Sequence, residues 1–469
     1  MTNKRLWMLA AAAFLVLGGM AVWFGGLNQD EGWYLYAANL VAEGKMPYRD
    51  FAFTQGPVLP WVYSQVVAIW REYGLLGART FNLTVGLLGI LACCAIARRL
   101  KGSALAVFLL SGCNLYHLYY LAIPKTYALA GLLAALAFLC LTFEDWWAGV
   151  LAGLLLALSA GTRISMGGLL LAAGVWFLTV RPRELKWLWL GLGGLTGLAL
   201  VYGPFLMDGA AREGLLAAQA YHAARDGFDP FLVAGSLSRL VRWYLPLVLA
   251  LGLMAIDRKR PSMPVLLAAP LVVLAAQLLA PFPYDDYQVP LMGLLAAAAG
   301  AAMDGKRLVP LALLAMAVAF GNPLLEKWSV NGQDRFWPDR KETSELCQLR
   351  RTAAEIERLD PEGKQLLTQD LYLAVETGRK VPEGLEMGPF SMLTHEEWKA
   401  LLELAPCKVA ALSGYTFAIE PPRCNERDFD EQMEYWGMLK RRYELKKRVE
   451  KFGQNATTLL ILERKDLSE

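Results

Sequence analysis

Two adjacent carboxylates, Asp30 and Glu31, stand a few residues beyond the first long apolar run of the chain. Arg49 lies in the loop after that run, and Arg79, Lys125 and Arg163 lie near the ends of the apolar runs that follow. A carboxylate so placed can take a proton from an attacking hydroxyl, and cations can hold an anionic group through charge-assisted hydrogen bonds. Each residue also has a plainer role open to it. Asp30 directly precedes a helical stretch and can serve as its N-cap. Glu31 falls about 100° round that helix from Asp30, so the two are not expected to serve one atom. Lys125, after Pro124, and Arg163 can anchor helix ends at an interface by extending their charged tips into water. Arg79 falls in the outer turn of an apolar run, where a charge is costly and often functional. His117, among Tyr116, Tyr119 and Tyr120, reads first as a satisfied interfacial histidine. With His222 and His395 it shows no metal-ligand spacing.

The elements that must position these residues are membrane spans. The 469 residues are 56% hydrophobic with a mean hydropathy of +0.34. The apolar residues fall in blocks of roughly 17–22, the length that crosses a hydrocarbon core of about 30 Å. The blocks run near 7–25, 74–97, 103–121, 124–143, 146–162, 164–180, 187–205, 240–256, 263–281, 288–303 and 308–325. The expected fold is therefore a mostly helical, polytopic membrane bundle of about eleven spans over residues 1–325, with a soluble domain over 326–469. Residues 1–25 also read as a signal peptide. However, the block is long and Phe24-Gly25-Gly26-Leu27-Asn28 lacks a small-x-small cleavage site, so it is taken as an uncleaved first helix. Internal repeats are absent, and no basic patch interleaved with aromatics suggests nucleic acid.

Lys and Arg near the helix ends set the expected orientation. Lys4 and Arg5 precede the first block, and Arg98, Arg99 and Lys101 follow the second. Arg181, Arg183 and Lys186 follow the sixth, Arg258, Lys259 and Arg260 the eighth, and Lys306 and Arg307 the tenth. Strict alternation puts every cluster on the cytoplasmic side if the N-terminus is cytoplasmic. The chain is then a multi-pass protein of the plasma (inner) membrane, with loops 26–73 and 206–239 and the whole tail outside. In the tail, 341–358 reads as an amphipathic helix and 429–451 as a highly charged one, while Gln365–Thr368, Val409–Leu412 and Thr457–Leu462 read as strands. That pattern suggests a small α/β domain. Of seven cysteines, Cys93, Cys94, Cys113 and Cys140 fall in apolar blocks as small hydrophobes, whereas Cys407 and Cys424 can pair in an oxidising compartment.

Loop 26–73 is too organised to be a connector. Residues 31–43 carry helical character with Trp33 and Tyr36 on one face, ended by Gly44 and Pro47. A second aromatic-rich helix is expected at about 58–71. The Asp30-Glu31 pair, the Tyr-rich juxtamembrane helix, Gly44…Pro47-Tyr48-Arg49-Asp50-Phe51, Gly56-Pro57 and Ala78-Arg79…Asn82 form a pattern with Gly161-Thr162-Arg163 and Pro281…Tyr284…Tyr287…Pro290. This pattern resembles the GT-C membrane glycosyltransferases, in the branch of the protein O-mannosyltransferases and lipid A aminoarabinose transferases. The resemblance spans most of residues 1–300.

It implies transfer of a sugar from a polyprenyl-phosphate donor to a lipid, glycan or protein acceptor of the cell envelope. Such a reaction needs a carboxylate for the acceptor's proton and cations for the departing lipid phosphate. On this reading Asp30 is the general base and Glu31 an auxiliary acid, while Lys125, Arg163, Arg79 and Arg49 are candidates for the donor phosphate. Tyr34, Asp50, His117, Tyr284, Asp285 and Tyr287 are candidates for sugar or acceptor, although Asp285 and Asp286 also read as a solvated loop. The chain departs from the resembled pattern in one respect. Leu115–Leu129 contains no second acidic residue, which favours a single base with Lys125 on the phosphate. No metal site is expected, and a divalent cation is admitted without being required. The rival reading is a transporter or flippase without glycosyl transfer, but such proteins place polar residues and broken helices at mid-membrane, usually within internal repeats. A polymerase or ligase of the same sugar lipids would carry its large loop later in the chain. A phosphatase reporter fused after Leu325 is expected to be active and one after Arg260 silent; the reverse pattern would overturn the orientation.

Overall fold

The computed structural model describes residues 3–223, 229–280, 283–303, 310, 344–391, 393–414, 429–454 and 456–465. Among them, three helices are long and apolar enough to cross a membrane alone: Lys4–Phe24, Ala68–Arg99 and Lys186–Met207. The number is five if each of two bent pairs counts as one span. Shorter apolar helices cover Thr126–Cys140, Trp146–Thr162, Ile164–Val180 and Val265–Leu278. The Val289–Gly300 stretch, buried at every residue but Gly293, fills the tenth expected block. Residues 311–325 of the eleventh lie outside the described residues, as does the expected domain boundary. Leu15, Leu171 and Leu195 are each 71% exposed on the outside of the bundle, a surface suited to hydrocarbon rather than water.

Two expected spans are not straight. The block at 103–121 divides into Ala104–Gly112 and Leu115–Ala122, bent by 72°. Gly112-Cys113-Asn114 breaks it, because Asn114 caps a new helix by accepting from His117 N. The block at 240–256 begins at a 91° bend between Pro230–Trp243 and Leu245–Ile256. Pro230–Trp243 buries Ser236 and Leu240 while exposing Phe231, Leu232 and Leu237.

Contacts between helix ends sort the charges into two groups. At one end Arg99 Nε donates to Thr142 Oγ1 at 2.6 Å, the rings of Trp146 and Trp189 lie 5.7 Å apart, and Ser103 N donates to Gly300 O at 2.8 Å. The clusters around Arg98 and Lys186 belong to this end. Lys125 and Arg163 stand at the opposite ends of their helices, with the aromatic first loop.

The first loop contains helix Gln29–Ala42 as expected, while the helix expected at about 58–71 ends at Ser64, before the next begins at Ala68. The following helix, Ala68–Arg99, is broken at Gly74, whose φ of 62° is accessible to glycine at little cost. Gly56 lies against the Gly161 carbonyl, where an added Cβ would meet the oxygen at 2.0 Å. Two segments of the resemblance pattern therefore touch.

The tail contains helices Glu345–Leu359, Leu371–Thr377, His395–Leu404 and Phe429–Arg442, and strands β1 (Val409–Ser413), β2 (Tyr443–Phe452) and β3 (Thr457–Arg464). The strands form an antiparallel sheet in the order β1-β3-β2, with Ala411 opposite Ile461 and Arg448 opposite Leu460. Two expectations need correction. Residues 443–451 are edge strand β2, not the second half of a charged helix. The expected strand at Gln365–Thr368 amounts to two bridges, Gln365 to Lys380 and Leu367 to Ala410. Cys407 is buried, while Cys424 lies outside the described residues, so their pairing does too.

The tail packs on the juxtamembrane helix Gln29–Ala42. Tyr36 OH accepts from Val381 N at 3.0 Å, and Lys380 Nζ pairs with Glu43 at 2.7 Å. Gly32 is the closest approach, because a Cβ there would lie 1.9 Å from Tyr372 N. Gly32→Ala is therefore expected to loosen the tail, read as faster cleavage of the tail by limited proteolysis; wild-type protection would refute the packing.

Candidate active site

The juxtamembrane helix has three buried faces, and each does a different thing. Its N-cap is Asn28, in extended backbone, which accepts from Asp30 N at 3.1 Å. Glu31 completes a capping box by accepting from Asn28 N at 2.9 Å. Asp30 is thus not the cap, and its carboxylate is directed elsewhere.

Glu31 faces the bundle. It is fully buried against Arg79, with Arg79 Nη2 to Oε1 at 2.6 Å and Arg79 Nε to Oε2 at 2.7 Å. Arg79 also donates to the carbonyls of Val22, Gly25 and Gly26, at 3.1, 2.9 and 3.0 Å. These contacts use all five guanidinium N–H groups. Arg79 thus has no N–H left over for a phosphate, and both Glu31 oxygens are engaged in the capping box and the ion pair. One helical turn along, Asn82 Nδ2 donates to Leu121 O and Ile123 O at 2.8 and 2.6 Å, holding the turn that ends in Lys125.

Asp30 and Tyr34, four residues apart, share the face turned to Lys125. Lys125 Nζ lies 2.7 Å from Asp30 Oδ2 and 3.1 Å from Asp286 Oδ2. Asp286 also accepts from Tyr127 OH at 2.7 Å. Burial opposes the charged form of Asp286, yet the charge of Lys125 and the hydrogen bonds from Tyr127 and Lys125 prevail and hold its carboxyl below the usual range. Burial raises the phenol of Tyr34, which lies in the field of Asp30, Lys125 and Arg163.

Arg163 completes the group. Its guanidinium lies 5.0 Å from the Tyr127 ring centre and 4.4 Å from that of Tyr287, and its Nη1 reaches Thr126 Oγ1 at 3.4 Å. It is 7% exposed, its Nε has no hydrogen-bond partner, and no carboxylate among the described residues pairs with it. Such a cation is poised for an anion.

The remaining candidates divide. Asp285 is tied to Arg239 Nε at 2.7 Å and accepts from Tyr116 OH, so Asp285 and Asp286 are anchored rather than solvated. Tyr287 lies beside Arg163, whereas Tyr284 is 51% exposed next to it. Arg49 and Asp50 pair with each other at 2.9 Å, with Asp208 3.6 Å from Arg49, and no contact ties either to Lys125 or Arg163. His117 meets Tyr244 OH at 3.0 Å and is buried, the satisfied role. Tyr127 and Arg239 carried no signal in the sequence, whereas Asp286 was weighed with Asp285 in the step between two tyrosines and read first as solvated. Among the described residues no three His, Cys, Asp or Glu converge to hold a metal. Glu31→Gln is expected to lower stability by about 3–5 kcal/mol, because it strands a buried guanidinium, and thermal unfolding in detergent measures this. A stability equal to wild type would refute the structural role.

No protein-family model and no curated protein matches the chain. Among solved structures, ArnT from Cupriavidus metallidurans bound to undecaprenyl phosphate is similar over 100% of both chains, with a TM-score of 0.65 at 14% identity. An Archaeoglobus fulgidus oligosaccharyltransferase tethered to an acceptor peptide is similar over 96% of this chain and 74% of its own, with a TM-score of 0.49 at 10% identity. The chain therefore has the fold of ArnT, mostly helical among the described residues and completed by a small C-terminal sheet.

Proposed function

We propose that this protein is a membrane glycosyltransferase that moves a sugar from a polyprenyl-phosphate donor to an envelope acceptor on the outer face. The observation that carries the reading is Arg163, a buried guanidinium without a carboxylate partner among the described residues, sharing the Tyr127 ring with Lys125. Two buried cations at the membrane-edge end of helices suit a lipid phosphate, whose apolar tail would remain among the spans. ArnT, the structure of like fold, was solved with undecaprenyl phosphate bound.

Asp30 is the base in this scheme. It takes the proton of the acceptor hydroxyl as the oxygen forms its bond to the sugar C1. The bond from C1 to the phosphate oxygen breaks, and its electron pair stays on the phosphate, held by Lys125 and Arg163. Asp286 and Tyr127 keep the ammonium in place, so the second carboxylate absent from Leu115–Leu129 is supplied by the loop before the Val289 helix. Asp30 keeps 23% of its side-chain surface exposed, against 8% for Lys125, leaving the carboxylate the more open to an acceptor.

The test uses purified protein in proteoliposomes with a panel of polyprenyl-phosphate sugars and envelope acceptors. Asp30→Asn is expected to fold, bind donor and lose on the order of 10²–10⁴-fold in turnover. Arg163→Met is expected to weaken donor binding by roughly 10–150-fold, the loss of a charge-assisted contact, with the pH optimum unchanged. Normal turnover in Asp30→Asn removes the base, and unchanged donor affinity in Arg163→Met removes the phosphate site.

A further inference from the structure

The helix that carries Asp30 is held at its entrance by the tail. Leu27 N donates to Glu345 Oε2 at 2.6 Å, and Gln29 N donates to Gln454 Oε1 at 2.8 Å. Gln29 Nε2 donates to Asp370 Oδ1 at 2.7 Å and to Tyr372 OH at 3.2 Å. Tyr372 OH in turn donates to Asp370 Oδ1 at 2.8 Å. Gln29, Asp370 and Tyr372 are all buried. Gln29 is also the peptide neighbour of Asp30, whose carboxylate lies 2.7 Å from Lys125.

Packing alone does not call for this arrangement. Close approach at Gly32 and the bond from Val381 N to Tyr36 OH already seat the tail on the next turns of the same face. Asp370 adds a fully buried carboxylate with no ion pair among the described residues, a costly way to hold two domains together. Burial raises its pKa, while hydrogen bonds from Gln29, Tyr372 and Ser413 oppose the shift. What the carboxylate does secure is the side chain of Gln29, and with it the azimuth of the first helical turn. A small rotation of that turn would swing Asp30 away from Lys125 while leaving the tail seated.

We propose that Asp370, acting through Gln29, is a positioning residue for Asp30, so that the tail sets the geometry of the catalytic carboxylate. This rests on the reading of Asp30 as the base. Misplacement of a reacting group by about 1 Å can cost around 10²-fold in rate, so the expected effect lies in turnover rather than in donor binding.

The experiment uses the full chain in proteoliposomes and four variants: Asp30→Asn, Gln29→Met, Asp370→Ala and Asp370→Asn. Gln29→Met and Asp370→Ala are expected to lower kcat by about 10–100-fold with the donor KM and Kd unchanged. Asp370→Asn is expected to recover most of the rate, because its amide oxygen still accepts from Gln29 and Tyr372. Wild-type kcat in Gln29→Met, with Asp30→Asn inactive, overturns the positioning role and leaves the base intact. Normal turnover in Asp30→Asn overturns the base itself. Loss of donor binding in parallel with kcat, or no recovery in Asp370→Asn, also overturns the proposal. If Asp370→Ala does not fold, Gln29→Met decides, since it keeps the bulk of the side chain and removes only its hydrogen bonds.

Discussion

The buried pair of Arg79 and Glu31 is the constraint on which the site end of the molecule depends. One guanidinium gathers the last carbonyls of the first span, the glycine turn after it and the first turn of the juxtamembrane helix. A desolvated ion pair gains little over a well-packed apolar core, but it is intolerant of losing one partner. Its value here is directional. Five N–H groups in a rigid plane tie the chain between Val22 and Glu31 to the bundle, and the contacts of Gln29 with the tail act on the first helical turn within that tie.

From that anchor the juxtamembrane helix has no idle side. Glu31 turns to the bundle, Asp30 and Tyr34 to the charged site, and Gln29, Gly32 and Tyr36 to the tail. Three bodies of the protein therefore share one helix of 14 residues. Lys125 is fixed separately, by Asn82 through the carbonyls of Leu121 and Ile123. Arg79 and Asn82, three residues apart on one helix, thus hold the Glu31 turn and the Lys125 turn separately.

The parts legible in the sequence were those where polar groups are scarce. In an apolar chain each charge stands out, so Asp30, Lys125 and Arg163 could be singled out by position together with the family resemblance. What remained illegible depends on distant pairing. Nothing local distinguishes Arg79, whose five bonds saturate it, from Arg163, which has an N–H left over; both are arginines at the site ends of spans. Asp286 reads as solvated until its loop is brought to Lys125, 161 residues earlier in the chain. The Tyr443–Phe452 segment carries Glu and Lys at helical spacing, but it is an edge strand, where charges on the exposed side discourage further pairing. The break at Cys113 was hidden by apolar neighbours, although Gly112 and Asn114 are a helix stop and a helix start.

The cluster of Asp30, Asp286, Lys125 and Arg163 has formal charges that cancel. In a region shielded from water, a change of net charge is far costlier than a redistribution of it. On the proposed reading, the departing phosphate becomes more negative at the moment the acceptor loses its proton. Because that proton comes to rest on Asp30, one member of the cluster loses a negative charge as another species gains one. The total stays constant along the reaction, and the low-dielectric surroundings oppose neither direction.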